Sequence, residues 1–189
     1  MFRVLFVCTA NICRSPMAEH LLREGLRARL GEAAEGFVIG SAGTHGHVGW
    51  PMDDTARETL LSGYGLDGTA FRARLLDAAL VQEADLVLTA TREHRAAAVT
   101  LHPRAASKSF TLREFDRLLS VTEPPAGEPV ERAHALVAAA AAQRGLIRPD
   151  RAKDDDVTDP YRGPAAEYLE CATLLHASLQ RPLDLIAGL

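Results

Sequence analysis

The 189 residues, 47% of them hydrophobic, are enough for one core of ordinary size and give no reason to divide the chain. A formal charge of -4 excludes the broad basic surface that nucleic acids and anionic membranes attract, so an anion site has to be local. Three cysteines, Cys8, Cys13 and Cys171, are an odd number with no disulfide-framework or zinc spacing, and the opening MFRVLFVC is too short for a signal peptide or a membrane span. The expectation is a cytoplasmic protein without nucleic-acid or membrane partners.

The β-branched, apolar stretch 3–7 predicts a buried strand, and from 16 to 30 the period turns helical, with Ala18, Leu21, Leu22 and Leu26 on one face. Ser15 followed by Pro16 predicts the helix start, with serine as cap and proline at the first helical position. Further strands are predicted over 37–39, 84–88 and 109–111, and helices over 54–61, 92–99, 112–119 and 167–186. Alternating strands and helices imply a parallel α/β sheet, in which ligands bind beyond the carboxyl ends of the strands. The loop after Val7 lies there. Residues 120–156 shift in composition: a proline-rich breaker run, an alanine-rich helix predicted over 134–144 and a charged KDDD at 153–156. This stretch reads as an insertion in a single domain spanning 1–189, packed on or beside it. Lid, partner surface and plain surface filler all stay open as its role.

The segment CTANICRS, from Cys8 to Ser15, puts a cysteine at a strand end, five loop residues, then arginine and serine entering a helix. Successive backbone N–H groups in such a loop, together with the positive end of a helix, form a concave anion site, and Arg14 adds a bidentate clamp for two phosphate oxygens. Cys8 then sits beneath the phosphorus, where the same dipoles and Arg14 favour thiolate over thiol. Ser15 is placed to donate a hydrogen bond to the sulfur. A lone cysteine at a strand end is ordinarily a small buried hydrophobe; the strand before it, Ser-Pro after it and the following helix outweigh that reading here.

The stretch VLFVCTANICRSPMAE resembles the phosphate-binding loop of the low-molecular-weight protein-tyrosine phosphatases, whose motif reads V-C-x-G-N-I-C-R-S-P. The resemblance implies a flavodoxin-like three-layer sandwich with a four-stranded parallel sheet and flanking helices. It also implies no metal or other cofactor, hydrolysis through a cysteinyl-phosphate, and tyrosine-phosphorylated proteins as substrates. Cys8 becomes the nucleophile and Arg14 the phosphate clamp, with Thr9, Ala10, Asn11, Ile12, Cys13 and Ser15 forming the loop. Asn11 is implied to hold the loop in its binding-ready shape, and an asparagine tolerates the left-handed backbone this needs.

Expelling a phenolate, whose conjugate acid has a pKa of about 10, calls for a nearby carboxylic acid. The 25 acidic residues do not single one out on chemistry alone. The segment VTDPY at 157–161 resembles the family's late D-P-Y motif, which implies Asp159 as general acid and base and Tyr161 as a wall of the substrate slot. Pro160 restricts the turn and biases Asp159 toward extended backbone. SAGT at 41–44 is similar to a family segment whose serine supports the loop, making Ser41 a supporting residue, while His47 and Trp50 fall near the family's aromatic wall. For Trp50, packing is the competing reading.

Three departures from the family pattern stand out. Ala10 replaces a glycine, Phe71 stands where a histidine often bonds the loop asparagine, and Arg162 follows Tyr161 in place of a second aromatic. The first adds a β-carbon to a tight loop, the second removes a polar partner of Asn11, and the third favours acidic neighbours on a substrate. Two rival readings are a thiol-coupled arsenate reductase on the same fold and a phosphate-binding or redox-sensing module with a reversible Cys8–Cys13 disulfide. The additional cysteine pair of such reductases is missing, since none occurs between Cys13 and Cys171, which leaves the first a route that uses a partner's thiols. The second leaves the Asp159 motif without a purpose.

Overall fold

All 189 residues are described by the structure, a computed structural model. Four parallel strands, β1 (Phe2–Cys8), β2 (Phe37–Gly43), β3 (Leu86–Thr89) and β4 (Ser109–Thr111), form one sheet in the order β2-β1-β3-β4. Alternation along β1 sorts its side chains between two faces. Phe2, Val4, Phe6 and Cys8 join the larger core, whereas Leu5 and Val7 join a smaller one.

Helices α1 (Arg14–Leu30), α2 (Asp54–Tyr64), α5 (Leu112–Leu118), α6 (Pro129–Gln143) and α7 (Ala165–Ala187) contribute to the larger core; α3 (Ala78–Glu83) and α4 (Arg92–Leu101) cover the other face. The result is the expected three-layer α/β sandwich. Register aligns Cys8 with Gly43 and Val7 with Thr89, so the carboxyl ends of β1, β2 and β3 finish together. No helix is long and apolar enough to cross a membrane.

Strand β2 runs four residues past its predicted end at Ile39, through Gly40, Ser41, Ala42 and Gly43. Those residues have little strand propensity of their own; pairing with β1 along its whole length extends the strand. Helix α3 was not predicted, because six residues offer too little period. Helix α1 begins at Arg14, its N-cap is Cys13, and no side chain caps it. Ser15 is therefore not the cap expected from Ser-Pro; its hydroxyl has other partners, described below.

Within 120–156, helix α6 starts five residues earlier than predicted, at Pro129 with a Glu128–Glu131 capping box, and buries Ala133, Leu136 and Ala140 in the larger core. His134 packs edge-on against Phe2 with ring centroids 4.8 Å apart. Phe2 and Cys8 are opposite ends of a seven-residue strand, about 20 Å at the usual rise per residue. Helix α6 is thus part of the core at the end of the sheet away from Cys8, which removes the lid reading for this helix. Replacing Leu136 with alanine is expected to cost about 2 to 5 kcal/mol in a single unfolding transition, measured by urea denaturation. A cost below about 1 kcal/mol would mean that α6 only rests on the surface.

Candidate active site

Residues 8–15 form a loop whose carbonyls are taken up by the scaffold. The oxygen of Cys8 accepts from Thr44 N at 2.9 Å, Thr9 O from His45 N at 2.9 Å, Ala10 O from His47 N at 3.1 Å and Ile12 O from Asp53 N at 2.9 Å, while Cys13 O accepts from Met17 N at 3.0 Å. The backbone N–H groups of residues 9 to 15 donate to nothing within the protein. A ring of free donors at the start of a 17-residue helix is the electrostatic pattern of an oxyanion cradle. Gly43 makes the close approach feasible: a β-carbon there would lie 2.4 Å from the Thr9 oxygen. Ala10, in contrast, has no positive φ and packs partly buried against the core, so its β-carbon is accommodated.

Asn11 is left-handed, with φ 59°, and fully buried. Its Oδ1 accepts from Arg74 N at 2.8 Å, which fixes the amide's orientation because a backbone nitrogen can only donate. Its Nδ2 then donates to Ser15 Oγ at 2.8 Å and to Ser41 Oγ at 2.8 Å, and Ser41 Oγ donates to Glu19 Oε2 at 2.7 Å. Since Ser15 Oγ accepts from Asn11, its own proton is free for Cys8 Sγ at 2.9 Å. The polar network that a histidine at position 71 was expected to supply is therefore rebuilt three residues on, by the main chain of Arg74, and Asn11 is firmly held.

Arg14 is buried, and its donors are already distributed. Nη1 donates to Val157 O at 3.1 Å, and Nη2 donates to Thr9 Oγ1 at 3.3 Å and to Asp159 Oδ2 at 2.7 Å; Nε has no partner. The structure thus brings Asp159 onto the arginine of the loop. The segment before it is anchored to the end of β3, with Val157 N on Ala90 O at 2.8 Å and Arg92 N on Asp156 Oδ1 at 2.8 Å. Tyr161 follows, 41% exposed, with Arg162 at φ 65° folding its guanidinium over the ring at 5.2 Å.

Trp50 is 54% exposed and meets His47 edge-on at 4.6 Å, on the loop whose amides bind the Thr9 and Ala10 carbonyls. Its exposure sets aside the packing reading. Cys8, Cys13 and Cys171 are all free and buried. Burial first, then Asp53, pushes the Cys13 thiol far up, and burial pushes Cys171 up to about 12, so neither competes as a thiolate at neutral pH.

Sequence reasoning missed His94. It is buried, with Nε2 at 2.9 Å from Thr9 Oγ1 and Nδ1 at 2.8 Å from Thr91 Oγ1. A Thr-x-x-His spacing at a helix start was the only available signal, and it does not point to Thr9. Burial, then the Arg14 charge, lowers His94 to about 4, against an opposing pull from Asp159 and Asp156 and a small further push from His45. The unfolded chain, with His94 near its ordinary 6.5, binds more protons between those values, so this residue makes stability fall as pH drops from 6.5 toward 4. Urea midpoints are expected to decline over that range, and the His94→Gln variant to decline less; equal slopes would contradict the assignment.

The model of the family "Low molecular weight phosphotyrosine protein phosphatase" matches residues 3–146. A low-molecular-weight protein-tyrosine-phosphatase of Streptomyces coelicolor is 37% identical over 183 residues, covering 94% of this chain and 88% of that one. Among solved structures, a low-molecular-weight protein tyrosine phosphatase from T. tengcongensis superposes with a TM-score of 0.71 at 30% identity, covering 97% of this chain and 99% of that one. The YwlE arginine phosphatase of Geobacillus stearothermophilus superposes at 0.69 with 28% identity, covering 97% and 92%.

Proposed function

The chain belongs to the low-molecular-weight protein-tyrosine phosphatase family and is a phosphatase, and from that premise we propose that it hydrolyses phosphotyrosine on proteins through a cysteinyl-phosphate at Cys8. The observation that carries this reading is the loop of residues 8–15, with its carbonyls consumed by the scaffold, its N–H groups unspent and the Cys8 sulfur on the Ser15 hydroxyl.

In the first step Cys8 Sγ attacks phosphorus, forming the S–P bond as the bond to the tyrosine oxygen breaks, and Asp159 delivers its proton to the departing phenolate. In the second step a water oxygen bonds to phosphorus, the S–P bond breaks, the water proton passes to Asp159, and Ser15 stabilises the expelled thiolate. The free amides and Arg14 hold the equatorial oxygens in both steps, so the work is positioning and charge stabilisation. Phosphate takes over Arg14 Nε and the Nη2 donor now on Asp159, and the released carboxylate takes up a proton from solvent before turning to the leaving oxygen as the acid.

Trp50, His47 and Tyr161 wall the slot for the substrate ring, and Arg162 at its rim favours acidic neighbours. A nucleophilic thiolate requires a reducing compartment, which supports the cytoplasm. The 189 residues act as one catalytic domain, in which helix α6 elaborates the core and Asp156, at the end of the 120–156 stretch, anchors the segment that carries Asp159.

The test is metal-free turnover under reducing conditions of phosphotyrosine peptide, phosphoarginine and two aryl phosphates. Cys8→Ser is expected to abolish turnover. Asp159→Ala is expected to lose about 10² to 10⁴-fold with phenyl phosphate and less with p-nitrophenyl phosphate, whose better leaving group needs less help. Equal losses on both aryl phosphates would remove Asp159 from the acid role, and preference for phosphoarginine would reassign the substrate class.

A further inference from the structure

Thr9 is the point at which two separate parts of the fold meet. Its Oγ1 lies 3.3 Å from Arg14 Nη2 and 2.9 Å from His94 Nε2, eighty-five positions away along the chain. The other ring nitrogen of His94 lies 2.8 Å from Thr91 Oγ1, and Thr91 is itself the N-cap of α4, accepting from His94 N at 3.4 Å. The imidazole is therefore clamped at both nitrogens between the start of α4 and the first residue of the phosphate loop.

We propose that His94 is a positioning residue for the phosphatase reaction, setting the orientation of the Arg14 guanidinium through the Thr9 hydroxyl. The inference rests on the reading of Arg14 as the phosphate clamp. Arginine offers five N–H donors in a rigid plane. On Arg14, Val157 O and Thr9 Oγ1 each take one, and of the three that remain, Nε and the Nη2 hydrogen now on Asp159 form the edge that faces an oxyanion. If either anchor fails, the plane can rotate and the bidentate edge is lost.

A threonine hydroxyl left to itself would spin and offer Arg14 its proton as readily as a lone pair. His94 prevents this in either tautomer. With the proton on Nδ1, Nε2 accepts the Thr9 hydrogen and leaves the oxygen lone pairs to Arg14. With the proton on Nε2, Thr9 accepts from both partners and its own proton is free to reach a phosphate oxygen. The neutral ring, held so by burial and by Arg14, keeps this arrangement through the neutral range.

Both nitrogens of a buried imidazole need partners, and Thr91 satisfies one of them together with the helix N-terminus. The second bond leaves its own supersecondary unit to reach a residue that touches the clamp.

The experiment measures p-nitrophenyl phosphate kinetics and inhibition by inorganic phosphate for wild type, Thr9→Val, Thr9→Ser, His94→Phe and the double variant Thr9→Val/His94→Phe. Thr9→Val and His94→Phe are each expected to lower kcat/KM by about tenfold and to weaken phosphate inhibition alongside, while Thr9→Ser stays within about twofold of wild type. The double variant is expected to be no worse than the poorer single one, because His94 acts through Thr9. Losses that multiply, or a folded His94→Phe with wild-type kinetics and phosphate inhibition, would overturn the proposal. If His94→Phe does not fold, His94→Asn takes its place, and Thr9→Val with unchanged kinetics is by itself contradictory. Wild-type turnover that survives Cys8→Ser would instead sink the underlying mechanism; phosphate affinity in the Cys8→Ser background, read by calorimetry, still decides the link from His94 to Arg14.

Discussion

The buried amide of Asn11 is the interaction on which the rest of the site depends. A left-handed non-glycine residue costs about 1 to 2 kcal/mol, and three buried hydrogen bonds at about 0.5 to 1.5 kcal/mol each outweigh it. Those bonds run to Arg74 N, Ser15 and Ser41, so one side chain ties the loop to β2, to α1 and to the segment before α3. With the turn at Asn11 fixed, the carbonyls on either side face the amides of residues 44–53, and the N–H groups are the ones left over. The same amide determines where the Ser15 proton goes, because Glu19 draws the Ser41 proton away and leaves Asn11 to donate to both hydroxyls. A carboxylate on α1 thereby reaches the Cys8 sulfur through four hydrogen bonds and three intervening side chains, Ser41, Asn11 and Ser15.

Arg14 and Asp159 form an unequal pair, with side chains 5% and 46% exposed. The buried guanidinium is held by Val157 and Thr9 and cannot leave without losing partners it needs, whereas the half-exposed carboxylate can return to water at little cost. An arriving phosphate, with more charge and better-matched geometry than one carboxylate oxygen, is the natural replacement. In the proposed mechanism the carboxylate is released by the substrate's own binding and is protonated before it acts, and once it has returned its proton to solvent the ion pair holds the clamp in place between turnovers.

Much of this was legible in the sequence, for physical reasons. The run Val4 to Val7 is apolar enough to be buried whatever surrounds it, and the spacing from Cys8 to Ser15 constrains a strand-loop-helix junction tightly. What was hidden depends on partners distant along the chain. Gly40 to Gly43 become strand because β1 runs beside them; Ser15 looks like a helix cap until Asn11 and Cys8 claim its hydroxyl; Arg74 enters through its main chain, which no side-chain pattern reveals. His94 was invisible because Thr9 lies across the sheet from it. The alanine-rich helix of 129–143 read as peripheral on composition, yet Ala133, Leu136 and Ala140 are buried in the larger core and His134 packs on Phe2.

The account is tested most directly by a structure of the protein with orthovanadate. The expected result is vanadium bonded to Cys8 Sγ, its equatorial oxygens on the N–H groups of residues 9 to 15 and on Arg14 Nε and Nη2, with the Arg14–Asp159 contact broken and Asn11 unmoved. Vanadate bound with that ion pair intact, or bound away from the loop, would contradict it.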